Sequence, residues 1–146
     1  MTHVTKMRHN LPVALLLTAV LLITPVASAN ATIERRPSRV PAKVCPIRWQ
    51  RGPWFVKQMI RCAAKHFHVP GGVAKALYIA ERESHYYPKA YNAYSGALGV
   101  YQHLSRYWPG RASAYGFRGW SGFNARANII VTMRMVRRTG WYPWGG

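Results

Sequence analysis

Glu83 stands in the pair Glu83-Ser84 at the end of an apolar stripe, and a carboxyl group placed there could work as a general acid and base. Few other groups could compete for that role. The 146-residue chain carries three glutamates and no aspartate against 21 lysines and arginines, for a formal net charge of +18. Chemistry that needs paired carboxylates, or several carboxylates around a metal ion, has almost nothing to draw on. The two other acids are Glu34, in a stretch rich in arginine and proline, and Glu81, two residues before Glu83.

The element that positions Glu83 is marked by its breakers. Pro70-Gly71-Gly72 opens a helix over about 73–86, and Pro88 stops it, because the residue before a proline avoids helical geometry. At about 100° per residue, Val73, Ala76, Leu77, Ile79 and Ala80 share one arc with Glu83. Lys75, Tyr78, Glu81, Arg82 and His85 fall on the other side. Glu81 is then a solvated charge within reach of His85 one turn on. Glu83 lies against the buried stripe, where apolar surface favours the neutral form that a general acid needs. A carboxyl reaching solvent from a frayed helix end is the competing reading. An earlier helix follows Gly52-Pro53, where proline suits a first turn, and spans about 54–66 with Trp54, Ile60 and Ala64 toward the core.

Beyond Pro88 come Ala90, Asn92 and the segment Ser95-Gly96-Ala97-Leu98-Gly99-Val100-Tyr101-Gln102. Two glycines three apart allow a tight turn, and the Gln102 amide offers both a donor and an acceptor. Glu83-Ser84, Pro88, Ala90, Asn92, Gly96, Ala97, Gly99 and Gln102 together resemble the soluble lytic transglycosylases of the lysozyme-like superfamily. In that family a helix ends in Glu-Ser and a glycine–glutamine turn follows. Asn124 and Asn128-Ile129 resemble the start of the family's later helix. The resemblance spans about 73–136. It implies a mainly α, lysozyme-like domain with a glycan-binding cleft, cutting the β-1,4 bond between N-acetylmuramic acid and N-acetylglucosamine of peptidoglycan. It also implies Glu83 as the catalytic group and Ser84, Gly99, Tyr101, Gln102 and Asn128 as substrate-binding residues, with Ser84 orienting the carboxyl.

The scarcity of acids fits a mechanism with one carboxyl. Ordinary retaining and inverting glycosidases place two carboxylates across the bond. Glu34 lies in the linker and Glu81 points about 160° away from Glu83 on the helical wheel. The expected product is therefore a 1,6-anhydro sugar formed without water. One position departs from the family pattern. Met135 stands where a tyrosine is often found, leaving Tyr101, Tyr107 or Tyr142, or burial alone, to tune the carboxyl. The alternatives to this reading are a muramidase hydrolase and a catalytically silent cationic wall-binding module.

The remaining features set context. Lys6 and Arg8, the apolar run from Leu11 to Ile23, and Ala27-Ser28-Ala29 read as a signal peptide over 1–29 with a cleavage site. A basic linker, 30–44, leads to one domain, 45–146, in a secreted protein that acts at the cell wall. Without Lys6 and Arg8, 19 basic residues face three glutamates, a net +16. That charge calls for a polyanionic partner. Anionic wall polymers fit an exported, monomeric chain better than specific nucleic-acid binding, because the basic residues are scattered rather than gathered on one helix. Cys45 and Cys62 are expected to pair in an oxidising compartment. No metal or other cofactor is expected. His66, His68, His85 and His103 lack HExxH spacing, and a Cys–His nucleophile would need a cysteine that the disulfide uses. Trp108, Trp120, Trp141 and Trp144 read as core. Tyr86, Tyr87, Tyr91 and Tyr94 surround the helix end and turn, where packing is the first reading and sugar stacking the second.

Overall fold

The computed structural model describes residues 44–146. The leader expected over 1–29 and all but the last residue of the linker, Glu34 included, lie outside the described residues. Four helices carry the architecture: α1 (Pro53–Phe67), α2 (Gly72–Ser84), α3 (Trp108–Ala114) and α4 (Ala125–Thr139). Three two-residue strands, β1 (Tyr91–Asn92), β2 (Ala97–Leu98) and β3 (His103–Leu104), lie between α2 and α3. The chain is therefore mainly α, as its sequence predicts. Among the described residues no helix is long and apolar enough to cross a membrane.

Proline at the first position starts α1, and Val56, Met59, Ile60, Ala63, Ala64 and Phe67 recur at three- and four-residue steps to form its buried stripe. Trp54 does not join them. It is 61% exposed, because it lies about 120° around the helix from Ile60. Cys62 bonds to Cys45, so the segment ahead of α1 is clipped to it, as expected. The Cys45 carbonyl also accepts from Arg126 Nη1 of α4 at 2.8 Å. α1 packs against both α2 and α4, placing the core among the three.

α2 buries Ala76, Ile79 and Ala80, the arc that its sequence marks, but stops two residues earlier than expected. His85 and Tyr86 both take left-handed backbone angles, at φ 51 and 65. The Tyr86 amide then turns back to the Ala80 carbonyl. The helix is thus ended by a reversal of its own backbone, before Pro88 acts.

The strands form one antiparallel sheet in the order β1-β2-β3, with Tyr91 opposite Leu98 and Leu98 opposite His103. The Asn92 side chain closes the first turn by accepting from the amides of Tyr94 and Ser95. α4 is the most interior helix. Asn124 caps it by accepting from Ala127 N at 3.2 Å, and the residues from Ala127 through Met133 are buried without a break. At the C-terminus Trp141 and Trp144 pack around Tyr101, their indole N–H groups donating to Pro70 O and Tyr101 O.

Candidate active site

The Glu83 side chain is 22% exposed at the last turn of α2, and its neighbour on the helix holds it. Arg82 Nη2 donates to Glu83 Oε1 at 2.6 Å and Arg82 Nε to the same oxygen at 3.1 Å. The same Nη2 also donates to the Trp144 carbonyl at 2.5 Å. Arg82 therefore ties the carboxyl to the C-terminal turn, and the bond to Glu83 raises the guanidinium above its ordinary value. The apolar bed expected around Glu83 is in part a cation. Glu81 behaves as expected. Its carboxyl meets His85 Nδ1 at 3.2 Å on the exposed side, and this contact, ahead of one with the Tyr86 hydroxyl, holds Glu81 below the usual carboxylate value.

Two hydrogen bonds link α2 to the glycine–glutamine turn. Ser84 Oγ donates to Val100 O at 2.8 Å, and Tyr101 Oη donates to Ala76 O at 2.9 Å. Both side chains are buried. Ser84 thus fixes the turn to the helix end, and its hydroxyl is directed at backbone carbonyls rather than at the Glu83 carboxyl. Tyr101 presents its ring to the core and its backbone to the turn. Burial lifts its phenol well above the ordinary value.

Asn128 organises the turn from α4. Its Oδ1 accepts from Tyr101 N at 2.9 Å, while Nδ2 donates to Gly122 O at 2.9 Å and Leu98 O at 3.3 Å. The side chain is fully buried, so all three bonds are made inside the protein. Gly99 has φ +75, and a Cβ there would come within 2.3 Å of both Asn128 Nδ2 and Gly122 O. The second glycine of the pattern is therefore required by a close approach as well as by its backbone angle. Gln102 is left-handed too, at φ 46, and its Nε2 donates to Gly99 O at 2.9 Å and Ala90 O at 3.3 Å.

The structure thus brings Glu83, Ser84, Gly99, Tyr101, Gln102 and Asn128 into one bonded assembly, in which the side chains of Ser84, Tyr101 and Asn128 and the Gln102 Nε2 group bond to the backbone. Of the tyrosines considered for the position of Met135, Tyr101 bonds Ala76 O, while Tyr107 and Tyr142 are exposed. The group on Glu83 is Arg82, which its place on the wheel opposite the apolar arc did not suggest. Adjacency in sequence was the one available signal. Tyr87, Tyr91 and Tyr94 are exposed around the turn, Tyr94 completely, while Tyr86 is buried. Lys57 lies 4.2 Å from the centre of the Tyr86 ring. Two hollows lie elsewhere: one is lined by Pro46, Ile47, Arg48, Arg51, Trp54, Phe55 and Gln58, the other by residues of α1, α3 and α4.

A buried polar chain also passes behind the turn. Arg111 Nη1 lies 2.9 Å from His103 Nδ1, and His103 Nε2 lies 2.8 Å from Thr132 Oγ1. Thr132 Oγ1 donates to Asn128 O at 2.8 Å. A guanidinium can only donate, so Nδ1 accepts and Nε2 carries the proton toward Thr132. Burial, reinforced by the Arg111 charge, lowers His103 from 6.5 to about 3. His103 is thus a neutral structural link, and His85 is engaged separately at Glu81.

Compared with models of known protein families, with curated proteins and with solved structures, the chain matches none.

Proposed function

We propose that the protein is a secreted peptidoglycan lytic transglycosylase with a lysozyme-like fold and Glu83 as its acid and base. The observation that carries this reading is that Ser84, next to Glu83 in the last turn of α2, fastens the Gly96–Gln102 turn through Val100 O, while Tyr101 ties it to Ala76 earlier in α2 and Asn128 holds it from α4. A partly exposed carboxyl next to a rigid turn with three exposed tyrosines suits a glycan strand that lies across the surface. Glu83 protonates the bridging oxygen between N-acetylmuramic acid and N-acetylglucosamine, and the bond to the anomeric carbon breaks. The Glu83 carboxylate then takes the proton of the muramic 6-hydroxyl, whose oxygen attacks the anomeric carbon and closes the 1,6-anhydro ring. Atoms balance without water, and no second carboxylate is required. Glu81 is engaged with His85 on the other side of the helix.

For the first step Arg82 must give up Glu83 as the glycan arrives, and Trp144 O remains as its acceptor. The same fork favours a second reading, a cationic wall-binding domain whose carboxyl is structural. Glu83→Gln separates the two. The transglycosylase reading predicts that release of soluble glycan from purified wall falls at least about a hundredfold, with products lighter by one water than hydrolytic ones. Unchanged lysis by the variant sinks the enzymatic reading, and products with reducing ends make the enzyme a hydrolase.

A further inference from the structure

A hollow of about 290 Å³ lies between the C-terminal end of α1, the C-terminal end of α3 and the last two turns of α4. Phe67, Ala114 and Tyr115 form its walls, and Arg134, Arg137 and Arg138 line it from α4. Residues three and four apart on a helix share a face, so these three guanidinium groups are crowded by the helix itself. Like charges one turn apart destabilise a helix, and among the described residues no glutamate relieves these. Glu81 pairs with His85 and Glu83 with Arg82, and neither reaches the hollow. Basic residues in a last turn do complement the helix dipole, which accounts for Arg137 and Arg138 singly. It does not account for Arg134, which lies a turn earlier and is fixed by donating from Nη1 to Tyr115 O at 2.7 Å. That bond anchors one guanidinium at the wall of the hollow while the other two remain exposed beside it.

We propose that this hollow binds the phosphate groups of a phosphodiester wall polymer, with Arg137 and Arg138 gripping the phosphate beside the fixed Arg134. The planar fork of arginine matches two phosphate oxygens at once, and no glutamate among the described residues lines the hollow to compete for it. The inference rests on the peptidoglycan reading only for its choice of a wall polymer as the source of phosphate. The site would hold the enzyme on the wall and leave α2 and the glycine–glutamine turn to the glycan.

The test is calorimetric titration of the full secreted chain with a purified glycerol-phosphate polymer at physiological salt. Because it reads binding and not turnover, a chain that cleaves no glycan still answers it. Arg137→Gln/Arg138→Gln is expected to weaken binding tenfold or more. Arg48→Gln/Arg51→Gln, which removes equal charge near α1's first turn, is expected to change it less than twofold. Ala114→Glu keeps every arginine and places a carboxylate in the hollow; it is expected to match the first variant, and it decides the matter if that variant does not fold. Equal losses in the two arginine pairs, or wild-type binding by Ala114→Glu, overturn the site. Tighter binding to duplex DNA or to phosphatidylglycerol vesicles at equal phosphate overturns the wall polymer as its ligand.

Discussion

At the scale of single residues, the arrangement around Glu83 depends on neighbours that do no chemistry themselves. Gly99 is the clearest case. An alanine there would take a left-handed backbone angle and push its methyl against Gly122 O and the Asn128 amide. Gly99→Ala is expected to cost about 2–4 kcal/mol, measured by urea unfolding, since part of the obstacle is backbone that cannot swing away. His103 makes the second residue-scale prediction. Its ring is neutral in the fold and titrates near 6.5 once unfolded, so the unfolded chain binds the extra proton as pH falls. The stability that depends on neutral His103 is therefore complete above about pH 6.5 and declines toward pH 3, by about 1.4 kcal/mol per unit. The groups around the ring are Arg111 from α3, Thr132 from α4 and the indoles of Trp108 and Trp144. In thermal melts across that range, His103→Gln should show a flatter acid limb than the parent chain. An equal slope would place the acid sensitivity elsewhere.

At the scale of elements, α1 and α4 act as the frame on which α2 and the sheet are hung. The disulfide joins Cys45 to Cys62 across a sequence separation of 17, and the Cys45 carbonyl is fastened in turn to Arg126 of α4. A loop of that size is worth about 3 kcal/mol in the chain-entropy account. Cys45→Ser/Cys62→Ser should lower the melting temperature by more than about 10 °C, and a reducing agent should do the same to the parent chain. Much of this level was legible in the sequence. The proline and glycine breakers and the apolar stripes placed α1 and α2 within one or two residues of their observed ends, and the resemblance at Asn124 marked where α4 starts, whereas the short α3 was missed. The end of α2 was not legible, because two left-handed residues without glycine, His85 and Tyr86, stop the helix ahead of Pro88. The strands were missed because pairs of two residues leave no alternation to read. Trp54 was misplaced because it opens its helix off the axis of the buried stripe.

At the scale of the whole molecule, the net charge of +18 dominates encounter with any anionic surface. Between about 0.1 and 1 M salt the screening length shrinks from about 10 to about 3 Å, so exposed charges cease to act together. Association with purified wall is expected to fall tenfold or more over that interval in a pelleting assay. Retention unaffected by salt would mean that contacts other than charge hold the protein to the wall. This long-range attraction and the arginine hollow are separable: the first follows total charge, the second follows place.

The sequence by itself singled out Glu83, because three glutamates leave almost no alternative, and it set the helical class through spacing and breakers that act locally. It also marked the glycine–glutamine turn, since a left-handed angle and a close approach restrict residue type wherever they occur. What each residue of that turn does was decided only by the tertiary structure. Ser84, Tyr101 and Asn128 prove to be fasteners because their partners, Val100, Ala76 and Gly122, are brought to them by folding. Arg82 neighbours Glu83 in the sequence, but Trp144, which it bonds as well, is brought to it by folding. Periodicity reports which face of a helix is buried; which polar group a side chain meets depends on contacts between distant parts of the chain, and no local pattern encodes those.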